Sequence, residues 1–319
     1  MTPNVGGAHV PLGPGREFDV VRALLARWGG RAVGIGDDAA VFDVLPGHRL
    51  VVSTDTSVDR VHFRREWLSP REIGWRATMA ALSDLAAMAA SPLGMVVALV
   101  LPPSDTELAM ELADGIGDAA EAANTPIMGG DLSHGETLTI GVTVFGSSPT
   151  PIGRHGARPG DLLFVTGALG GPGAALRSWM TGGTPADALR ARFAHPVARL
   201  AEARWLADHG ARALIDISDG LASEARHLAA ASDVEVEVDL DKVPVLSGIS
   251  ARDAALSGEE YELLVAVPSP LDAAAFSRRF NLSLTHVGQV RSRNAAATAR
   301  FLQQGNCVDL AMGYEHFSS

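Results

Sequence analysis

The 319-residue chain contains one lysine, Lys242, and one cysteine, Cys307; every other basic side chain is arginine. Walker A loops and protein-kinase folds each set a lysine on the nucleotide phosphates. Lys242 lies in LDKVPVL with no glycine-rich loop before it, so both designs are excluded. A lone cysteine closes no internal disulfide, and the histidines lack zinc-type spacing; a reducing cytoplasm is the expected location. Positive charge is scarce, with 26 Lys and Arg against 37 Asp and Glu and a formal net charge of −11. No basic stripe is present for nucleic acid or an anionic membrane. The longest apolar stretch, residues 76–101, is broken by Ser83, Asp84, Ser91 and Pro92, so no single helix is expected to span a bilayer. The first fifteen residues have no basic region followed by an apolar core, and no secretory signal is expected.

With 47% hydrophobic and 20% charged residues the chain has the composition of a globular protein, and its length suits two domains. The run GSSPTPIG at 146–153 is the best boundary, giving expected domains 1–148 and 149–319. Apolar spacing predicts helices over 18–28, 107–123 and 221–231, and strands over 50–53, 95–101, 137–145, 162–166, 213–217, 263–267 and 284–290. Strands mixed with helices in both halves make the fold class α/β or α+β.

Aspartates recur at the ends of apolar strands or within apolar helices: Asp37 and Asp38 in GIGDDAAV, Asp55 in VVSTDTSVDRVHF, Asp84 in ALSDLAAM, Asp131 in IMGGDLSHG, Asp216 and Asp219 in ALIDISDGL. Turn formation and helix capping account for several of them one at a time. Asp84 is different. At 3.6 residues per turn it shares a face with Ala77, Ala80, Ala81 and Met88, so its carboxylate is expected to be buried and to need a cation, either an arginine or a metal. Mg2+ takes hard oxygen ligands, one or two carboxylates per ion, with phosphate and water completing the shell. Ser53 and Thr54 stand beside Asp55 as further oxygen donors. The glycine turn VTGALGGPGAAL at 165–176 is either a tight turn or an anion seat at a helix start. Arg154 and Arg158 in RHGARPGD have the chemistry to grip phosphate.

Taken in order over 34–317, the segments GIGDDAAV, STDTSVDRVHF, LSDLAAM, GGD, RHGARPGD, IDISDGL, SGEEYEL and GYEHF resemble thiamine-monophosphate kinase, of the aminoimidazole-ribonucleotide synthetase-like superfamily. The resemblance implies an N-terminal α/β domain that binds ATP and metal and forms a homodimer across its sheet, followed by a C-terminal α/β domain. It implies transfer of the ATP γ-phosphoryl group to thiamine monophosphate with several Mg2+ ions. By position it implies metal ligation by Asp38, Ser53, Thr54, Asp55, Asp84, Asp131, Asp216 and Asp219, with Asp38, Asp55, Asp84, Asp131 and Asp216 at the catalytic centre. Nucleotide contacts fall on Gly130, Asp131, Arg154 and Ser218, and substrate contacts on His62, Glu259 and Tyr314. The chain departs from the family pattern at Leu132, Ser133 and His134, where GGDTTRG is common, and at Ser257 and Glu260, in place of glycine and aspartate. Rival expectations are another ATP-dependent activity of the superfamily, such as aminoimidazole-ribonucleotide synthesis, and a non-catalytic sensor of nucleotide or thiamine phosphate.

Overall fold

The computed structural model describes residues 16–33, 35, 42–102, 106–293 and 298–311. These divide into two units, Met1–Leu85 with Ala90–Pro151, and Ala86–Ala89 with Ile152–Ser319.

The first unit is built on one sheet. Helix α1 (Arg16–Trp28) precedes strand β1 (Arg49–Val58), helix α2 (Pro70–Ala87), strand β2 (Ser91–Leu101), helix α3 (Thr106–Ala122), and strands β3 (Ile127–His134) and β4 (Thr139–Ser148). The strand order is β1-β4-β2-β3, with only β2 and β3 parallel. Side chains alternate along each strand. One row therefore carries Ser53 and Asp55 of β1 with Val142 and Val144 of β4, and the other carries Thr54 and Thr56 with Thr143 and Gly141. The first row faces α2, because Ser53 bonds to Asp84 on that helix and Gly146, opposite Val51, abuts Leu85. The second row is open, and Leu50 and Val52 on it are 49% and 51% exposed.

Helix α3 lies against α2 at two glycines. A Cβ on Gly74 would stand 2.3 Å from the Leu112 carbonyl, and one on Gly115 would stand 1.8 Å from the Arg71 carbonyl. Helix α1 then seats Trp28 on α3, where the indole N–H donates to the Ala113 carbonyl at 2.8 Å.

The second unit is a seven-stranded sheet covered on both faces. Its elements are β5 (Leu162–Thr166), α4 (Gly171–Met180), α5 (Asp187–Ala194), α6 (Leu200–Asp208), β6 (Ala213–Asp216), α7 (Leu221–Ser232), β7 (Glu235–Asp239), α8 (Ala251–Ala255), β8 (Leu263–Val267), α9 (Ala273–Phe280), β9 (Leu284–Arg291), β10 (Thr298–Gln303) and β11 (Asn306–Val308). The order is β11-β10-β7-β9-β5-β8-β6. Leu163, Val165, Ile215 and Leu264 enter one apolar layer with α7, while Phe164, Leu214, Leu263 and Val265 enter the other with α6 and α9. Both faces being buried, β5 and β8 read as unbroken apolar runs, and their predicted and observed limits coincide.

Helices α3 and α7 fall within a residue of where the spacing puts them, β2 begins at Ser91 rather than Met95, and β1 runs on through Asp55 instead of stopping at Ser53. Strand β7 and the two strands of the tail, β10 and β11, are elements the spacing does not predict. Gly115→Ala is expected to lower stability by about 1–3 kcal/mol, since the added methyl must push two helix backbones apart. Thermal or urea unfolding measures it, and an unchanged midpoint would mean that the two helices do not meet there.

Candidate functional site

In the first unit the candidate residues lie on both faces of the sheet and at both of its edges, β1 and β3. The Ser53 hydroxyl donates to Asp84 Oδ2 at 2.5 Å. Asp84 is half-buried rather than fully buried as its helix face predicts, because it meets the sheet at a hydroxyl and not within the alanine layer. Asp55 lies on the same row as Ser53, and its Oδ1 accepts the Thr56 N–H at 2.7 Å. Thr54 lies on the open row, its hydroxyl 3.0 Å from that of Thr143. Asp131 of β3 is on that open row too: Thr56 pairs with Gly141, Gly141 with Ala98, and Ala98 with Asp131. Ser133 donates to Asp131 Oδ2 at 3.1 Å, so one of the departures from the family pattern supports the aspartate. Gly130 has no room for a side chain, as a Cβ there would lie 2.0 Å from the Val97 carbonyl. His62 follows β1 in a turn; its Nδ1 accepts the Val58 N–H at 3.1 Å, which leaves the proton of the neutral ring on Nε2.

In the second unit Asp216 ends β6, and Ile217–Gly220 turn the chain into α7. The turn is tied to the segment before β8 by three backbone bonds that prolong the β6–β8 pairing. Ile217 N–H donates to the Glu262 carbonyl at 2.7 Å, Tyr261 N–H to the Ile217 carbonyl at 2.9 Å, and Glu259 N–H to the Ser218 carbonyl at 2.6 Å. Asp216, Ser218, Asp219 and Glu259 therefore belong to one substructure.

Glu224, in the first turn of α7, belongs to it as well. Its Oε1 accepts the Asp219 N–H at 3.1 Å and lies 3.4 Å from the Ser218 hydroxyl. Burial pushes its carboxyl up to about 7, and the charges of Asp216 and Asp219 push the same way; the Asp219 N–H and Arg154 oppose them. Nothing in LASEARHL marks Glu224 as more than a surface residue of a helix. The signal was available only as a position, one turn after a cluster of aspartates. Arg154 is exposed and close enough to act on Glu224.

The glycine turn before α4 does receive a carboxyl group, that of the chain's own Glu260. The Gly170 N–H donates to Glu260 Oε1 at 2.6 Å, and Gly167, at φ 64°, has no space for a Cβ because Glu262 Oε1 would lie 2.4 Å from it. Ser257 and Glu260, the other two departures from the family pattern, meet: the hydroxyl donates to Glu260 Oε1 at 2.5 Å. Glu262, fully buried, is held by Arg199 through two bonds of 2.5 and 2.9 Å, by Arg192 at 3.0 Å and by the Thr166 hydroxyl at 2.7 Å. Asp38 and Tyr314 lie outside the described residues.

Among the described residues no three of His, Cys, Asp and Glu gather as a closed metal cage. The donors along β1, α2 and β3 of the first unit are carboxylates and hydroxyls, and so, separately, are those of the β6–α7 turn of the second. That set fits Mg2+, which takes only one or two carboxylates per ion and draws the rest of its shell from phosphate and water. Among the described residues no helix is long and apolar enough to cross a membrane.

Two family models match: AIR synthase related protein, N-terminal domain, over residues 36–148, and AIR synthase related protein, C-terminal domain, over residues 158–298. The chain is 37% identical to thiamine-monophosphate kinase of Rhodopirellula baltica, the alignment spanning 85% of this chain and 88% of that one. The crystal structure of thiamine-monophosphate kinase from Stenotrophomonas maltophilia superposes with a TM-score of 0.79 at 31% identity, covering 92% of this chain and 98% of that chain. A structure of AaThiL complexed with AMPPCP and TMP superposes with a TM-score of 0.74 at 28% identity, covering 94% and 97% of the two chains. The two-domain α/β architecture is thus that of the AIR synthase-related fold.

Burial is the main cause that pushes the Glu260 carboxyl from its ordinary 4.5 up to about 7, assisted by the charge of Glu262 and opposed by Ser257, Gly170 and Arg192. A carboxyl raised on folding binds its proton more tightly in the folded state. Its contribution to stability is complete below about pH 4.5 and is lost as pH rises through about 7. Glu260→Gln is therefore expected to flatten the fall in melting temperature between about pH 4.5 and 7. Equal pH slopes in variant and wild type would remove Glu260 as the cause.

Proposed function

Because the chain belongs to the thiamine-monophosphate kinase family, we propose that it transfers the γ-phosphoryl group of ATP to thiamine monophosphate, yielding thiamine diphosphate and ADP. The observation that carries this reading is the likeness over nearly the whole chain to enzymes of that name, one relative having been solved with AMPPCP and TMP. We further propose that several Mg2+ ions take part, with Asp38, Ser53, Thr54, Asp55, Asp84, Asp131, Asp216 and Asp219 as their ligands. Gly130, Asp131, Arg154 and Ser218 are the proposed nucleotide contacts, and His62, Glu259 and Tyr314 the proposed substrate contacts.

Phosphoryl transfer asks a protein for alignment and charge neutralisation more than for covalent chemistry. Bound Mg2+ supplies neutralising charge at the phosphate oxygens. Carboxylates along β1, α2 and β3 hold such ions, and Arg154 supplies a cation that cannot lose its proton. The acceptor is a phosphate monoester whose second pKa is near ~6, so it is already a nucleophilic dianion at neutral pH. The chain consequently needs no general base, which suits a site whose one histidine, His62, turns its Nδ1 to a backbone N–H. Glu259 provides a negative charge to face the cationic thiazolium ring.

A homodimer and a cytoplasmic location complete the proposal. The open row of the first unit's sheet supports dimerisation, since Leu50 and Val52 expose apolar surface on a face that also carries Val96 and Val100.

Incubation with ATP, Mg2+ and thiamine monophosphate is expected to give thiamine diphosphate; none formed by folded protein would refute the activity. Including aminoimidazole-ribonucleotide precursors in parallel separates the rival activity of the superfamily. Asp84→Asn is expected to lower kcat on the order of 100-fold with the melting temperature kept within a few degrees. Near-normal turnover would take Asp84 out of the metal site.

A further inference from the structure

Glu259 and Tyr261 are two non-glycine residues with left-handed backbone, φ 64° and 52°, separated by a single residue. Such conformations persist only where the surroundings over-determine them, and they gather at functional sites. The surroundings here do so on two sides. On one edge, Glu259 and Tyr261 donate their N–H groups to Ser218 and Ile217 of the aspartate turn. From the interior, Glu260 is gripped by Ser257 and the Gly170 N–H, and Glu262 by Arg192, Arg199 and Thr166. At Gly258 a Cβ would lie 2.8 Å from the Ser218 carbonyl, so segment and turn are in close backbone contact along that same edge.

Glu260 and Glu262 both go into the interior, and Glu259 and Tyr261 bond to each other. The Tyr261 hydroxyl donates to Glu259 Oε2 at 2.5 Å. Tyr261 is 7% exposed, so its ring is packed and its hydroxyl is a fixed donor, whereas Glu259 is half-buried. A glutamate in this position has three side-chain torsions to settle, and a charge-assisted bond from a rigid phenol settles them before any ligand arrives.

We infer that Tyr261 is a positioning residue for the acceptor half of the site: its phenol hydroxyl fixes the Glu259 carboxylate in the orientation that receives the acceptor. This rests on the proposed role of Glu259 toward thiamine monophosphate. Tyr261 touches no reacting atom and acts only through Glu259. The two backbone bonds to Ser218 and Ile217 fix the pair against the turn that carries Asp216 and Asp219.

Tyr261→Phe keeps the ring and deletes one oxygen, so the fold is retained. Its KM for thiamine monophosphate is expected to rise roughly five- to twentyfold, with the KM for ATP and the melting temperature unchanged. In a Glu259→Gln background the same substitution is expected to change little more, because both changes remove one interaction. An unchanged KM for thiamine monophosphate, an equal rise in the KM for ATP, or additive effects in the double variant would each overturn the inference. A wild-type enzyme that makes thiamine diphosphate while Tyr261→Phe matches it leaves the proposed function standing and removes only Tyr261. A wild type that makes none removes both.

Discussion

A carboxylate with no contact with water has to be compensated where it stands, and in the second unit that carboxylate is Glu262. Arg199 at the start of α6, Arg192 on α5 and Thr166 at the end of β5 converge on it. Removing both arginines would leave that charge buried and unpaired, at a cost of several kcal/mol. Arg192 also reaches Glu260, at 3.6 Å, and Glu260 reaches the start of α4. One buried charge thus fixes the positions of four elements. The segment that bears it also carries the strained residues bonded to the aspartate turn. The geometry of the candidate site in this unit follows from the core requirement.

Every cation in this arrangement is an arginine. Arginine holds its proton so tightly that it stays charged across the whole range in which proteins fold. The near absence of lysine, first a reason to exclude two kinds of nucleotide site, also means that protons enter and leave these pairs only from the carboxylate side. Glu260 and Glu224 are raised for the same first reason, burial, although one serves the core and the other adjoins Ser218 and Asp219.

Much of this was legible in advance, and for identifiable reasons. Leu162–Thr166 and Leu263–Val267 are apolar on both faces and bounded by turn residues, so their ends coincide with the ends of their apolar runs. Asp84 stood out as the lone charge on an alanine face, and the structure gives it a polar partner in Ser53. Strand β7 was hidden because EVEVD places two glutamates in a sheet. They are buried only because Arg300 on β10 and Arg291 on β9 meet them, and those partners are distant in sequence. Glu224 was hidden likewise, since its neighbours come from the turn rather than from its own helix face. In the same way, the glycine turn before α4 was legible as either a tight turn or an anion seat, but not that the carboxyl it holds lies about ninety residues further along the chain.

Strand β1 serves two surfaces at once. Ser53 and Asp55 turn toward α2, while Thr54 and Thr56 turn toward the open face that Asp131 shares. Three consecutive oxygen donors are thereby dealt to opposite sides, and only the phase of the strand decides which goes where. Inserting or deleting one residue upstream within β1 would exchange the two sets, carrying Leu50 and Val52 inward and the Asp84 partner outward. The strand can accept changes of side chain one at a time, yet its length is as tightly constrained as a reading frame.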